Sequence, residues 1–156
     1  MLDLVIDPSV RGLVSDPMRG RLQRRLARMV KAASLHEARE IELEVSARLT
    51  DDVAMRALNR DYRGKDKSTD VLAFAMREGP VTGMNDHVLG DLVISVPSAK
   101  RQAKRGLLRE LVFLGAHGLC HLLGYDHQND DDERVMNKRM RALIREADHR
   151  GPTGAA

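Results

Sequence analysis

The chain has 156 residues, of which 42% are hydrophobic and 31% are charged, the composition of a single globular domain. Lysine and arginine exceed aspartate and glutamate by three, a mild basic excess that favours an anionic partner without requiring one. Aromatic residues make up only 3%, which argues against an RNA-binding sheet that stacks bases on rows of aromatic side chains.

The N-terminal third predicts two strands and a helix. Residues 2–6 form a short apolar strand, and the acids beside it are unlike the basic start of a signal peptide. Residues 17–34 have apolar positions at helical spacing. The opposite side of this helix is a stripe of arginines, which is either a solvated face or a phosphate-contacting face: Arg21, Arg24, Arg25 and Arg28. Residues 41–49 alternate apolar and polar positions, which indicates a strand with one wet face.

The middle of the chain predicts a short helix, a polar loop and two more strands. Thr50, Asp51 and Asp52 resemble the capped start of a helix that ends near residue 59. A polar loop follows over residues 59–70, then strands over 71–76 and 88–95. Gly90 inside the second of these strands indicates a β-bulge or a close backbone approach. His87, in the loop over residues 77–87, is expected at the surface and outside any metal site.

The C-terminal third predicts three helices. Ser95 and Pro97 suit the cap and first turn of a helix that Gly106 interrupts. A second helix covers about 107–123, and the pair Asp130 and Glu133 resembles a capping box for a last helix that ends near residue 147. No apolar stretch is long enough to span a membrane. We therefore expect a cytoplasmic protein with no membrane partner.

Three histidines in this region have the spacing of metal ligands. His117 and His121 are four residues apart, so they share one face of a helix. Gly124 follows where a helix that ends in a left-handed residue prefers glycine, and the reversed chain brings His127 towards the other two imidazoles. Three imidazoles with no evident fourth ligand favour a catalytic zinc site that keeps one position open for water. Asp126 either orients a ligand or serves the turn.

Other interpretations of these histidines remain open. The spacing is that of the metzincin peptidases, but their general-base glutamate follows the first histidine, where this chain has Gly118. Taken singly, each histidine is most simply an ordinary core residue, yet three within eleven residues disfavour that interpretation. Cys120, which has no cysteine to pair with, is expected to be a small buried residue, with a fourth-ligand role as the alternative. A structural zinc in a non-catalytic ribosome-binding module is the remaining reading, although structural sites usually have four protein ligands.

The segment His117-Gly-Leu-Cys-His-Leu-Leu-Gly-Tyr-Asp-His127 resembles the H-G-x-L-H-L-x-G-Y-D-H signature of the YbeY family of bacterial rRNA-maturation endoribonucleases. Residues 58–74 resemble a second segment of that family, which usually has proline at Ser68 and serine at Ala73. Residues 89–95 are a third match. Together these segments extend over most of residues 40–127. Cys120 replaces the usual leucine of the signature, a change that we expect to affect packing alone.

The resemblance implies an α+β fold in one domain, with a four-stranded mixed sheet packed against helices. It implies one zinc ion per chain on His117, His121 and His127, and cleavage of single-stranded RNA in 16S rRNA 3′-end maturation and ribosome quality control. From the length and the C-terminal sequence of the chain, we expect one catalytic domain over residues 1–150, followed by a flexible tail over 151–156. The partners would be the 16S rRNA precursor and the ribosome, while the oligomeric state is undetermined.

The same resemblance implies a catalytic role for Arg63. A planar guanidinium matches two phosphate oxygens at once, and a cleaved phosphodiester gains negative charge in its transition state. A surface arginine in a polar loop is the alternative. Three further cations are candidate RNA-backbone contacts, with screened surface charge as the other interpretation: Arg60, Lys65 and Lys67.

Overall fold

Four strands and five α-helices make up the part of the chain that the structure, a computed structural model, describes: residues 1–36, 42–76 and 87–149. The strands are β1 (Leu2–Ile6), β2 (Glu44–Thr50), β3 (Val71–Ala75) and β4 (Val88–Ser95). The helices are α1 (Asp16–His36), α2 (Asp52–Arg63), α3 (Val96–Gln102), α4 (Leu107–Leu122) and α5 (Asp130–Asp148). A short 3-10 helix, Pro8–Leu13, joins β1 to α1.

The strands form one mixed sheet in the order β1-β2-β4-β3. β1 pairs parallel with β2, β2 pairs parallel with β4, and β3 pairs antiparallel with β4 at the edge. The predicted four-stranded mixed sheet and the α+β class are therefore confirmed. Successive side chains of a strand point to opposite faces. One face of the sheet is buried, whereas on the other face β1 exposes Asp3 and Val5. The larger core lies under α1, α4 and α5, and a smaller cluster of Met55, Leu72 and Val93 lies under α2.

Gly90 produces both effects that the sequence suggested as alternatives. The pairing of β2 with β4 slips from Glu44–Val88 to Val45–Gly90, which is a β-bulge. The φ angle of Gly90 is +148°. A Cβ at this position would lie 2.2 Å from the carbonyl oxygen of Phe74 and 2.8 Å from Leu122 Cδ2. The glycine therefore lets the edge strand and the last turn of α4 approach each other closely.

α2 is longer than predicted. It ends at Arg63 and not near residue 59, because Gly64 takes the left-handed conformation (φ 69°) and its N–H bonds back to the carbonyl of Arg60. Arg60 and Arg63 are therefore on the last turns of a helix and not in a loop, and the polar loop begins at Gly64. The many charged residues around Gly64 are typical of a loop and mask the C-terminal glycine signal, so the sequence predicts a loop that begins too early.

Other element boundaries differ less from the predicted ones. Asn129 caps α5, its side chain accepting from the Asp132 N–H, so the cap lies one residue before the predicted Asp130. β2 begins at Glu44. Residue 41, where the strand was predicted to begin, lies outside the described residues, as do residues 77–86 of the predicted loop over 77–87 and the predicted tail over 151–156. Among the helices that the structure describes, none is both long and apolar enough to cross a membrane.

Candidate metal centre

The end of α4 determines where the three histidines lie. The helix ends at Leu122, and Gly124 follows with φ 99°, the left-handed conformation predicted for it. The N–H of Tyr125 donates to the carbonyl of Cys120, and that of Gly124 donates to the carbonyl of His121, each at 3.0 Å. These two bonds form a Schellman motif, which reverses the chain direction after the helix. The reversal brings His127 back beside the last turn of α4.

The three imidazoles lie close enough to share one metal ion. His117 Nε2 and His121 Nε2 are 3.2 Å apart, and one ring nitrogen from each histidine lies within 4.8 Å of the other two. Nitrogens bound to one tetrahedral zinc at about 2.0–2.1 Å are separated by roughly 3.3 Å. The donor set is thus of the right chemical type and nearly the right spacing for a three-histidine zinc site.

The surroundings of the two helical histidines favour their neutral form. Burial lowers the pKa of His117, and the neighbouring His121 lowers it further, while the negative charge of Asp70 opposes both. Burial also lowers the pKa of His121, and the charge of His127 adds to the effect. A lowered pKa keeps an imidazole unprotonated at neutral pH, which is the state that binds a metal.

Asp126 serves the turn that carries His127. Its Oδ1 accepts from the main-chain N–H of His127 at 2.8 Å, and its Oδ2 accepts from Gln128 Nε2 at 3.0 Å. The backbone hydrogen bond from His127 holds the pKa of the Asp126 carboxyl below its usual value. Of the two roles that the sequence suggested, the structure therefore shows the contact to the turn.

Arg63 lies in the same cavity as the two helical histidines. Its Nη2 donates to the main-chain carbonyl oxygen of Ala73 on β3 at 3.0 Å, which holds the side chain across the edge of the sheet. The cavity has a volume of about 330 Å³. Its lining residues come from α2, β3, α4 and the turn after α4: Arg63, Val71, Ala73, His117, Gly118, His121, Gly124, Tyr125 and Asp126. A cation therefore faces the proposed metal ligands across one concave site.

The other predicted cations lie elsewhere. Arg60 pairs with its neighbour Asp61 at 3.1 Å, and Lys65 is exposed after the end of α2. Lys67 lines a separate cavity beside Arg56 and Asp66. None of the three lines the histidine cavity, so their RNA contacts stay a prediction.

Two other predicted placements can be compared with the structure. His87 lies outside the cluster, as predicted, but it is half-buried and not fully at the surface, 3.7 Å from Glu44. Cys120 is fully buried, and burial raises the pKa of its thiol to about 12.

Two contributors to the site had no clear signal in the sequence. Ala73 acts through its main-chain oxygen, which every residue type possesses. Asp52, at the start of α2, accepts hydrogen bonds from four side chains at 2.6–3.2 Å: Ser68, Ser95, Ser98 and Arg101. This carboxylate fixes the N-terminus of α2 to α3 and to the loop before β3, and α2 carries Arg63 at its other end.

Gly118 has no room for a side chain. A Cβ there would lie 2.7 Å from Leu92 Cδ2 and 3.3 Å from Val71 Cγ2, because α4 packs directly on β3 and β4 at this point. The glutamate that follows the first histidine of a metzincin peptidase would therefore require the side chains of Leu92 and Val71 to shift. The absence of a side chain at Gly118 allows this close packing of α4 on the sheet.

A mixed α+β fold that carries three clustered histidines beside a concave cavity is the arrangement of a hydrolase with a candidate metal site. The family model described as Endoribonuclease YbeY matches residues 15–148, and the chain belongs to this family of nucleases. It is 43% identical over 136 residues to the Endoribonuclease YbeY of Pelotomaculum thermopropionicum, covering 84% of this chain and 87% of that protein. It is 46% identical over 128 residues to that of Moorella thermoacetica, covering 76% and 82% respectively.

The fold has also been seen before. A Thermotoga maritima protein solved in solution is similar, with a TM-score of 0.58 and 24% identity, over 94% of this chain and 89% of that one. At this identity the likeness supports the fold alone. The expected α+β architecture and the family assignment are thus confirmed by independent comparisons.

Proposed function

We propose that this chain is a zinc-dependent endoribonuclease that cleaves single-stranded RNA. One observation supports it above the others: Arg63 and the histidine pair of α4 line a single cavity of about 330 Å³. A phosphodiester in that cavity would lie between a fixed guanidinium and a metal ion. One zinc per chain, held by His117, His121 and His127, completes the proposed site.

Each protein group has a distinct task in this proposal. A bound zinc supplies a Lewis acid and lowers the pKa of a coordinated water to about 7. The imidazoles stay neutral and so keep their lone pairs for the metal, as their lowered pKa values favour. Arg63 binds the non-bridging phosphate oxygens, and its hydrogen bond to Ala73 holds the guanidinium in place before the substrate arrives. No protein carboxylate is needed at position 118.

The proposal extends to a particular RNA. The relatives named above are endoribonucleases, and residues 58–74, 89–95 and 117–127 resemble the segments of rRNA-maturation enzymes. We therefore propose the 16S rRNA precursor as substrate, 3′-end maturation and ribosome quality control as the process, the ribosome as partner and the cytoplasm as the location. Arg60, Lys65 and Lys67 are proposed as contacts to RNA beyond the cavity.

The alternatives have less support. A metallopeptidase needs a general base, and this chain has Gly118, closely packed against Leu92, where the usual glutamate would lie. A structural zinc would need a fourth protein ligand, and the metal-binding group found among residues 1–36, 42–76 and 87–149 contains three.

Cleavage assays distinguish these functions. Protein loaded with zinc should cleave a single-stranded RNA that carries the 3′ end of the 16S rRNA precursor, and should leave peptides intact. His121→Ala should lose the cleavage, whereas His87→Ala, which removes a histidine outside the cluster, should retain it. Zinc-dependent hydrolysis of peptides with the RNA left intact would overturn the proposal in favour of a peptidase. Bound zinc with neither activity would favour the binding module.

A further inference from the structure

A second basic site lies between α1, α4 and α5, away from the Arg63 cavity. It is a groove of about 690 Å³, and we call it the arginine groove. Its floor contains the apolar residues Leu108, Val112 and Ile144. Its cations come from two parts of the chain that are distant in sequence: Arg21, Arg24, Arg25, Arg28, Arg105 and Arg109. The arginine stripe of α1 is therefore half of a larger feature that the sequence did not reveal.

The charge of the arginine groove is not neutralised within the protein. Asp148 is its one acidic lining residue, and it pairs with Arg25 at 3.2 Å. Six arginines and one aspartate give the groove a net charge of +5, against +3 for the whole chain. Five of the six arginines have no carboxylate within 4.0 Å among the residues that the structure describes: Arg21, Arg24, Arg28, Arg105 and Arg109. Arg28 instead donates from Nη1 to the main-chain carbonyl oxygen of Ala147 at 2.9 Å. Like charges at this density repel one another, so the groove favours an anionic occupant.

The groove and the metal centre share one exposed stripe of α4. Arg109, Phe113, His117 and His121 recur every four residues, each offset by about 40° from the last. Between residues 111 and 122, all positions of the helix are buried except Phe113, His117 and His121. Phe113 is 44% exposed. From Arg109 to His117 the helix rises by roughly 12 Å. An extended ligand that follows this stripe reaches both sites within a few nucleotides.

We infer that the arginine groove binds the phosphate backbone of the RNA whose scissile bond lies in the Arg63 cavity. Guanidinium groups pair with phosphate oxygens, and an exposed aromatic ring such as Phe113 offers a stacking surface for a base. A concave groove suits a polyanionic strand better than it suits the flat surface of a membrane. The inference rests on the proposed function for the identity of the ligand, but the groove can be tested through binding alone.

The test replaces the four groove arginines that have neither a carboxylate partner nor, like Arg28, a main-chain carbonyl partner. The groove variant is Arg21→Gln/Arg24→Gln/Arg105→Gln/Arg109→Gln. A matched control removes the same charge from exposed positions outside both cavities: Arg11→Gln/Arg19→Gln/Arg134→Gln/Lys138→Gln. Each protein is titrated into a fluorescent single-stranded RNA of about 20 nucleotides at several salt concentrations. The metal is left out so that the RNA stays intact.

The groove variant should bind this RNA about 10²–10³-fold more weakly than wild type near 0.1 M salt. Its plot of log affinity against log salt should be less steep by about 2.8, because each lost phosphate contact removes roughly 0.7 from the slope. The control variant should lose much less affinity. An arginine-to-lysine version of the groove variant keeps the charge, so it should regain most of the salt dependence.

Each contrary result is informative. Equal losses in the groove and control variants would show that net charge alone attracts RNA, and would overturn the inference. Wild-type protein that binds no RNA would overturn it as well, and groove-dependent binding to anionic lipid vesicles without RNA binding would replace RNA with a membrane. Thermal unfolding checks that the variants fold. If the quadruple variant does not fold, the double variant Arg105→Gln/Arg109→Gln replaces it in the binding experiment. Groove-dependent binding in this experiment, together with no cleavage by the zinc-loaded protein in the separate cleavage assay, would uphold the inference and refute the proposed nuclease.

Discussion

The guanidinium of Arg63 donates from Nη2 to the main-chain carbonyl oxygen of Ala73 at 3.0 Å. This bond joins the last residue of α2 to the edge strand β3, on the side of the sheet where α4 presents its histidines. An arginine has five N–H donors, so one bond to the backbone leaves others for a phosphate. Ala73 thereby positions the guanidinium without contributing a side chain.

Arg63→Lys should lower the cleavage rate by about 10²–10³-fold. Lysine keeps the positive charge but lacks the planar fork that can hold Ala73 and a phosphate together. The rate is measured with single-stranded RNA under single-turnover conditions, so that product release does not enter. Zinc content should stay at the wild-type level, since Arg63 is not a ligand. A rate within a few-fold of wild type would make Arg63 a surface residue and direct attention to Lys65 and Lys67.

His117→Ala and His121→Ala should each lose most of their bound zinc. Each substitution leaves only two imidazole ligands. Two ligands bind zinc more weakly than three, because they replace fewer of the water molecules that the ion gives up. Wild-type protein should contain one zinc per chain, measured by elemental analysis after dialysis. His87→Ala is the matched control, because His87 lies outside the cluster and should leave the metal content unchanged. Full zinc occupancy in both cluster variants would refute the site.

Gly118→Ala should destabilise the fold even though alanine favours helices. The added Cβ would lie 2.7 Å from Leu92 Cδ2, and overpacking of a core typically costs about 1–3 kcal/mol. Helix propensity offsets this by at most about 1 kcal/mol. Gly20→Ala in α1 is the control, since its nearest neighbour is the flexible Arg24 guanidinium at 3.3 Å. Denaturant unfolding should give Gly118→Ala a lower free energy of unfolding than wild type, and Gly20→Ala an equal or higher one. Two stabilised variants would contradict the packing described for α4.

Asp52 should give the protein a stability that depends on pH. Burial raises the pKa of this carboxyl, but hydrogen bonds from Ser95, Ser98, Arg101 and Ser68 outweigh it and lower the pKa to about 2. The ionised carboxylate therefore stabilises the folded state above its unfolded pKa near 3.8, and this stability is lost as the pH falls towards 2. The contribution is on the order of 2 kcal/mol.

The experiment compares wild type with Asp52→Asn across that range. Asp52→Asn should be less stable by about 2 kcal/mol at pH 7, and the difference should shrink between pH 4 and pH 2. The comparison uses the free energy of unfolding in denaturant. Asp61→Asn, on the exposed side of the same helix, should behave like wild type. A difference that is constant from pH 7 to pH 2 would show that the carboxylate does not act through its charge.

The sequence predicted those parts of the site that depend on local spacing. His117 and His121 share a helix face because of the helical repeat, and Gly124 signals the reversal that returns His127. The four strands follow from hydrophobic alternation and apolar runs. Each of these features depends on residues within one or two turns of each other, so a single sequence contains them.

Features that depend on distant partners could not be predicted in this way. Asp52 binds Ser95 and Ser98, which are more than forty residues away, and no local pattern links them. Arg105 and Arg109 join the arginine stripe of α1 only because α4 packs beside it. The sequence predicts the end of α2 too early for a different reason. The glycine that ends the helix lies within a run of charged residues that is typical of loops.

The shared stripe means that α4 fixes the distance and the angle between the arginine groove and the metal ligands. One residue inserted between Phe113 and His117 would rotate every later side chain by about 100° around the helix axis, turning the histidines towards positions that are now buried. A four-residue insertion would rotate them by only about 40° but move them roughly 6 Å along the axis. Relatives of this chain should therefore differ in length before Leu107 or after His127, and keep the distance between those points fixed.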